Sequence, residues 1–125
     1  MHKGWLKTAS LLMAIAVALG AFGAHVLKSY IDQSALNIFE TGIKYQVYHS
    51  LSLLACGILY KDFPGKKIIW AARLFMMGMV FFCLSLYALA ILLPNYKFIG
   101  AITPLGGLSF ICGWLLLFIA FNDKK

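Results

Sequence analysis

Hydrophobic residues are gathered into four long runs, and short polar stretches separate them. A bilayer span needs ~20 mostly apolar residues at a rise of 1.5 Å each. The runs therefore predict an all-α membrane protein with four transmembrane helices, at about residues 5–27, 43–60, 68–93 and 103–121. Four such spans nearly use up the chain, so residues 1–125 are predicted to form a single integral membrane domain.

Polar residues and prolines mark where the predicted spans end. Lys28 stops the first run, and the polar turn at residues 61–67 separates the second from the third. Pro94 follows the third run closely. Thr103 and Pro104 form a helix-start signal, since threonine is favoured at the N-cap and proline at the first helical position. The fourth helix is therefore predicted to begin at Pro104.

The connection between the first two spans has a pattern of its own. Asp32 can cap a helix, and Leu36, Phe39 and Ile43 recur at i, i+3 and i+7. This spacing predicts either a short amphipathic helix at the membrane interface or an early start to the second span.

Short links make consecutive spans neighbours, and they predict an up-down four-helix bundle. Ala16, Gly20 and Ala24 recur every four residues on the first span. Gly106, Gly107 and Gly113 provide a similar thin stretch on the fourth. Small residues at such spacing let helix backbones approach closely, so these positions are predicted to pack against other helices.

Charge follows the same segmentation. Lysine and arginine outnumber aspartate and glutamate by 11 to 4, and most of the lysines lie at the ends of apolar runs. Lysines beside spans are typical of membrane proteins, and no motif for nucleic-acid binding accompanies them. With both termini in the cytoplasm, eight basic residues lie inside (Lys3, Lys7, Lys61, Lys66, Lys67, Arg73, Lys124 and Lys125) and three lie outside (Lys28, Lys44 and Lys97). The positive-inside rule therefore predicts cytoplasmic termini.

Composition agrees with this class. Hydrophobic residues make up 62% of the chain and charged residues only 12%, about half the share of an average soluble domain. Cys56, Cys83 and Cys112 lie inside apolar runs without a CxxC pair. Free cysteine behaves as a small hydrophobe, so packing is their expected role.

Polar residues that could form a site gather on the predicted outer side of the membrane. Ionisable groups at membrane depth are costly to bury and become functional candidates by default. They lie on three spans: His25 ends the first; Glu40, Lys44, Tyr45, Gln46 and His49 begin the second; Thr103 and Gly106 begin the fourth. We interpret these eight residues as candidates for binding a ligand or a lipid.

Spacing on the second span refines this interpretation. Glu40 and Lys44 stand at i, i+4 in the order that favours a helical ion pair. Tyr45, Gln46 and His49 share one face about two turns below the predicted outer surface. The cluster is either a set of interhelical hydrogen bonds that fixes packing or a binding, transport or catalytic site.

Metal and anion binding give two further hypotheses. His25, His49 and Glu40 are ligand types of a two-histidine, one-carboxylate site, but no HxxxH or ExxH spacing supports them, and no metal site is predicted. The start of the fourth helix, with Lys44 and His25, could hold a lipid phosphate. Catalytic patterns such as GxSxG and HExxH are missing, so no catalytic residue or cofactor is predicted.

Three ordered motifs resemble a known family. They are Gly20-Ala21-Phe22-Gly23-Ala24-His25 with Leu27-Lys28, the stretch from Thr41-Gly42 through Tyr45-Gln46 to His49, and Ile102-Thr103-Pro104-Leu105-Gly106-Gly107 with Gly113-Trp114. They look like the signatures of the YgdD-like family, a domain of unknown function (423). The resemblance covers essentially the whole chain and implies a multi-pass protein of the bacterial plasma membrane. It implies no reaction, substrate or cofactor.

Three functional hypotheses from different classes remain. The favoured one is a non-enzymatic helix-packing or lipid- or partner-binding module. Its partners would be membrane lipids, other membrane proteins or further copies of itself. The alternatives are a small transporter or channel subunit and a membrane enzyme at the outer leaflet with His49 as acid/base and Glu40 as its orienting group. Whether the protein is an enzyme stays undecided, with the balance against it.

Overall fold

The computed structural model describes residues 1–92 and 97–123, and all regular secondary structure in this part of the chain is helical. Its α-helices are α1 (Lys3–His25), α2 (Gln33–Leu59), α3 (Lys66–Gly78), α4 (Leu84–Leu92) and α5 (Thr103–Asn122). A π turn, Met79–Cys83, joins α3 and α4 into one continuous helix, so the described residues contain four long helices. Short 3₁₀ segments cover Leu27–Ser29 and Lys97–Ala101. The described residues do not include the predicted span end at residue 93 or the predicted stop at Pro94. They also do not include Lys124 and Lys125.

Three of the long helices begin and end close to the predicted limits, whereas α2 begins ten residues before the predicted start at Ile43. The Asp32 carboxylate accepts a hydrogen bond from the Ala35 N–H at 2.7 Å and caps α2 at its first turn. Leu36 and Phe39 are buried on the inner face of this early part. The connection is therefore an early start to the second long helix, one of the two predicted alternatives.

Three helices in the described part are long and apolar enough to cross a membrane: Lys3–Ser29, Lys66–Leu92 and Phe98–Asn122. Helix α2 has 27 residues, so length does not set it apart. It carries Lys44, Gln46 and His49 within the segment predicted to span, and these side chains lower its mean hydropathy.

Neighbouring helices run antiparallel. At one end of the α1–α2 pair, a Cβ on Gly23 would lie 3.0 Å from the Phe39 ring. At the other end, the His2 N–H donates to the Gly57 carbonyl at 2.9 Å. Since residues late in α1 meet residues early in α2, the two helices point in opposite directions.

The α3–α4 helix and α5 are antiparallel as well. Ser85 contacts Thr103 near one end, and Lys67 pairs with Asp123 at the other. We call the first end, where α1 finishes and α2 and α5 begin, the His25 end. The opposite end, which holds the start of α1 and residues 61–67, is the Lys67 end. Helix α1 packs chiefly on α2, and α5 chiefly on α3 and the π turn.

The core lies where α2 meets the α3–α4 helix. Leu53, Cys56, Phe75 and Cys83 are almost completely buried there. Cys56 and Cys83 are free thiols in this core, while Cys112 on α5 is half-buried. Their placement agrees with the packing role that was expected for cysteine.

The predicted row of small residues on α1 is only partly right. Ala16 is completely buried and Gly20 is half-buried, but Ala24 is exposed. Gly23 takes the inner position instead, against Phe39. Positions 16 and 23 are seven residues apart, close to two helical turns, so they share a face more closely than positions 16 and 24.

Gly106 makes the closest helix–helix approach that we identify. A Cβ there would overlap the backbone of Phe82 in the π turn. On the facing helix, a Cβ on Gly78 would overlap the Phe110 ring. Gly113 likewise leaves room for the Phe75 ring. The predicted close packing of Gly106 and Gly113 is therefore confirmed, and it fixes α5 against α3. For Gly107 the prediction was wrong, because a Cβ there would meet the Phe82 ring only at an ordinary contact distance.

We expect Gly106→Ala to destabilise the detergent-solubilised protein, because the added methyl group would overlap the Phe82 backbone. Overpacking of this kind typically costs about 1–3 kcal/mol. Gly107→Ala is the matched control, since a Cβ there would meet the Phe82 ring at 3.8 Å, an ordinary contact. Thermal unfolding followed by circular dichroism measures both variants. Equal unfolding midpoints would contradict the close approach.

A candidate site in the polar seam of α2

The polar residues of α2 lie in the middle of the helix. Gln46 is the central residue of Gln33–Leu59, about 20 Å along the axis from the first residue. The sequence placed Gln46 and His49 about two turns below the outer surface because it started the helix near Ile43. With the earlier start, these side chains lie at mid-helix.

Gln46 links three helices. Its side chain is 4% exposed, and its Nε2 donates to the Leu12 carbonyl of α1 at 2.8 Å. Its Oε1 accepts a hydrogen bond from the Tyr87 hydroxyl of α4 at 2.7 Å. A backbone carbonyl on one side and a phenol on the other therefore hold α1 and α4 to the same point of α2.

Both ring nitrogens of His49 form hydrogen bonds within the protein. Its Nδ1 lies 2.8 Å from the Tyr45 carbonyl oxygen, one helical turn earlier. Its Nε2 accepts a hydrogen bond from the Trp114 indole N–H of α5 at 3.1 Å. The Phe110 ring stacks on the imidazole with the ring centroids 3.5 Å apart and the planes 12° from parallel. His49 is 4% exposed.

These partners determine which tautomer His49 adopts. A carbonyl oxygen only accepts and an indole N–H only donates, so the hydrogen bonds assign the proton to Nδ1 and leave Nε2 as the acceptor. The ring is then neutral, with both nitrogens used. To exchange a proton with a ligand, His49 would have to break its contact with α5. We call Gln46, Tyr87, His49 and Trp114 the polar seam.

Thr103, like Gly106, contacts the neighbouring helix. The hydroxyls of Thr103 and Ser85 lie 2.6 Å apart. The Ser85 hydroxyl donates to the Phe82 carbonyl at 2.8 Å, so the Thr103 hydroxyl is the donor to Ser85. Helix α5 begins at Thr103 with Ile102 at the N-cap, so the predicted helix start at Pro104 was late by one residue. Thr103 joins α5 to α4.

The remaining candidates face outward. His25, Glu40 and Lys44 are exposed, and Tyr45 is 37% exposed with its ring 4.5 Å from that of Phe82. The predicted ion pair of Glu40 with Lys44 was wrong. Within residues 1–92 and 97–123, the salt bridge found is that of Lys67 with Asp123. An exposed pair gains little from association, which explains why the spacing alone does not enforce it.

The three residues considered for a metal are not brought together. His25 and Glu40 are exposed, while His49 is buried and bonded to Tyr45 and Trp114. Among the described residues, no group of three or more histidine, cysteine, aspartate or glutamate side chains could hold a metal ion.

Tyr87 and Trp114 are two members of the polar seam that the sequence did not reveal. Both lie inside apolar runs, where aromatic residues suit the hydrocarbon, and Trp114 entered the sequence analysis only as part of the Gly113-Trp114 motif. The sequence did contain one signal for them: a buried tyrosine hydroxyl or indole N–H usually needs a hydrogen-bond partner. Gln46 and His49 were two such partners at the middle of α2.

Beside the polar seam lies a cavity of about 510 Å³, which we call the lateral groove. It separates α1 from the α3–α4 helix, and Gln46 and Tyr87 form its floor. Apart from Thr8, its walls are apolar: Leu12, Ile15 and Leu19 from α1, and Met76, Met79 and Val80 from α3 and the π turn. Ile15 and Val80 are 42% and 52% exposed, so the groove opens to the outside of the helices.

Comparison with known proteins identifies relatives over most of the chain. Residues 19–107 match the model of a family described as "Protein of unknown function (DUF423)". The chain belongs to this family. A UPF0382 membrane protein of Staphylococcus saprophyticus is 43% identical over 117 residues, which cover 94% of this chain and 95% of the relative.

Two less similar relatives carry the same description as UPF0382 membrane proteins. The UPF0382 membrane protein YwdK of Bacillus subtilis is 39% identical over 107 residues, 85% of each chain. The UPF0382 inner membrane protein YgdD of Escherichia coli is 36% identical over 105 residues, 84% of this chain and 79% of the relative. No solved structure matches. With its apolar helices, the DUF423 chain is a multi-pass plasma membrane protein of bacteria. The predicted family and localisation are confirmed.

We expect Gln46→Leu and Tyr87→Phe to destabilise this DUF423 protein non-additively, because each removes one partner of the same buried hydrogen bond. Interhelical hydrogen bonds in membrane proteins contribute on average ~0.6 kcal/mol, and at most about 1.7. A double-mutant cycle on the unfolding free energy in detergent measures this coupling. His25→Ala should stay within about 0.5 kcal/mol of the unmodified protein, since His25 is exposed. Strict additivity would contradict the bond.

Proposed function

We propose that the protein is a non-enzymatic module of the bacterial plasma membrane that holds a lipid hydrocarbon chain in the lateral groove. The proposal depends on the contrast between the polar seam and the lateral groove. The polar seam is saturated by contacts within the chain, while the groove beside it is open and apolar.

The hydrogen bonds around the polar seam support a structural role for it. Within the described residues, every buried side-chain nitrogen or oxygen has a hydrogen-bond partner. A catalytic or transport site needs polar groups that can turn to a substrate. His49 meets Tyr45 and Trp114 rather than Glu40, which speaks against the acid/base pair of the enzyme hypothesis.

The shape and lining of the lateral groove support a hydrocarbon occupant. An unfilled void costs its lining side chains their dispersion contacts, so a groove that opens sideways into a bilayer gains from taking up an acyl chain. Met76 and Met79 are unbranched and flexible, which suits an irregular apolar ligand. Its volume falls within the usual range of ligand cavities, about 300–1,000 Å³.

Helix α2 serves as the fourth span in this proposal. Its polar side chains at mid-helix, Gln46 and His49, turn inward and are hydrogen-bonded. The exposed face of the same stretch carries Tyr48, Leu51 and Ile58, which suit lipid contact. It also carries Lys44, whose long side chain can extend along the helix toward the headgroups of the nearer leaflet. Polar residues inside a membrane almost always face the interior of the bundle and pair with one another or with backbone carbonyls.

Charge supports cytoplasmic termini. The Lys67 end holds most of the basic residues in the described part of the chain, namely Lys3, Lys7, Lys61, Lys66, Lys67 and Arg73. The His25 end holds Lys28 and Lys97, while Lys44 lies near the middle of α2. The positive-inside rule then places the Lys67 end in the cytoplasm, and with it both termini.

We expect cysteines introduced on either side of α2 to lie on opposite sides of the membrane. In a variant without the three native cysteines, Tyr30→Cys should react with an impermeant thiol reagent in intact spheroplasts. Lys61→Cys should react only after the membrane is made permeable. Tyr30 and Lys61 are both exposed, so access to the reagent depends on the membrane alone. Labelling of both from one side would refute α2 as a span.

We expect Ile15→Trp to reduce cross-linking to a phospholipid with a photoreactive acyl chain by several-fold, because the indole would fill the lateral groove. Ile15 lines the groove and is 42% exposed. Val17→Trp is the matched control, since Val17 is 64% exposed on another face of α1. Mass spectrometry of the labelled peptides measures the adducts in reconstituted vesicles.

Equal cross-linking in the two tryptophan variants would overturn the groove as a lipid site. Adducts that join two copies of the chain would assign the groove to self-association instead. The transporter alternative requires ion flux in sealed vesicles that contain the protein. The proposal expects no flux above that of protein-free vesicles.

A further inference from the structure

A second cavity lies at the Lys67 end, far from the polar seam along the helices. It has a volume of about 690 Å³ and separates the α2–α3 connection from the last turn of α5. We call it the basic cavity. The polar groups on its rim are Lys61, Asp62, Lys66, Lys67 and Asp123.

The charges on this rim are not balanced. Lys67 and Asp123 neutralise each other in a salt bridge. Lys61 and Lys66 are exposed and make no ion pair with a described residue, which leaves two cations beside Asp62. Lys66 is also the first residue of α3, whose early N–H groups receive no cap from the Gly65 N-cap residue. Both features favour an anion over a cation in the cavity.

The aromatic residues at this end are of the types that concentrate at the depth of the lipid headgroups. The His2 and Trp5 rings stack with the centroids 3.8 Å apart, and the Tyr60 ring meets the Trp5 ring edge-on at 5.5 Å. Tryptophan and tyrosine concentrate at the membrane–water interface, where their rings are apolar and their tips are wet. Lys3 and Lys7 belong to the same end and add to its positive charge.

The floor of the basic cavity is apolar. Ile68 is 1% exposed and Ala120 is 8% exposed. Phe63, which also lines the cavity, packs against Phe121 with the ring centroids 5.1 Å apart. A cationic rim above an apolar floor matches an amphiphile, whose phosphate meets the lysines and whose glycerol and first methylene groups meet the floor. A free phosphate ion would leave the floor unused.

We propose that the basic cavity binds the headgroup of an anionic phospholipid, with Lys61 and Lys66 contacting the phosphate. This inference rests on the membrane placement of the protein and adds a second lipid contact to the proposed function. Lysines at the cytoplasmic face attract anionic lipids there.

The test uses the full-length protein in vesicles made of equal parts of phosphatidylglycerol and phosphatidylethanolamine. After mild detergent extraction, native mass spectrometry counts the lipids that stay bound. We expect the unmodified protein to retain phosphatidylglycerol in preference to phosphatidylethanolamine. The double variant Lys61→Gln/Lys66→Gln should retain about tenfold less phosphatidylglycerol, because both cations that face the phosphate are lost.

Lys3→Gln/Lys7→Gln is the matched control, since it removes the same charge from the same end but outside the cavity. It should keep the retained phosphatidylglycerol within about twofold of the unmodified protein. Equal losses in the two double variants would show a diffuse charge effect and overturn the cavity. Equal retention of the two lipids by the unmodified protein would overturn the preference for an anion.

Two further measurements test the ligand class and the membrane insertion separately. Release of phosphatidylglycerol by inorganic phosphate alone would assign the cavity to a soluble phosphate compound and overturn the lipid assignment. Co-flotation with vesicles of phosphatidylcholine tests membrane insertion without an anionic lipid. If the protein fails to float there, the placement of the proposed function fails as well. If it floats but does not select phosphatidylglycerol, only this inference fails.

Discussion

The structure depends on one constraint, namely that polar side chains in the middle of α2 must find their partners inside the protein. Gln46 and His49 stand at mid-helix and are each 4% exposed, so neither side chain can take its hydrogen bonds from the surroundings of the protein. Gln46 reaches α1 and α4, and His49 reaches α5. A single helix therefore sets the positions of the other three long helices, because each must supply a carbonyl, a hydroxyl or an indole N–H to it.

The same constraint shapes the lateral groove. Gln46 holds Leu12 and Tyr87 at its two sides, so α1 and α4 approach α2 without closing over it. The π turn Met79–Cys83 lies between the part of the helix that meets His49 and the part that meets Gln46. A π turn inserts one residue and rotates the helix beyond it, and such turns often occur at functional sites. The polar seam and the groove are thus two consequences of one arrangement.

Much of the fold could be predicted from the sequence, since apolar runs and capping residues act locally. The ends of three of the long helices, the cap at Asp32 and the close packing at Gly106 depend only on neighbouring residues or on residue size. The contacts of the site could not be predicted in this way. The bond of Gln46 with Tyr87 joins residues 41 positions apart, and nothing in an apolar run shows which aromatic residue turns inward. Likewise, i, i+4 spacing could not tell whether two exposed side chains would associate.

The lateral groove and the basic cavity meet the α3–α4 helix at different levels. The groove is built by α1 and the later part of the α3–α4 helix, around Met76 and Val80. The cavity is built by the start of α3 and the end of α5, around Lys66 and Ala120. Residues of α1 do not line the cavity, and residues of α5 do not line the groove. The two proposed lipid contacts therefore lie on different helix pairs, and α3 is common to both.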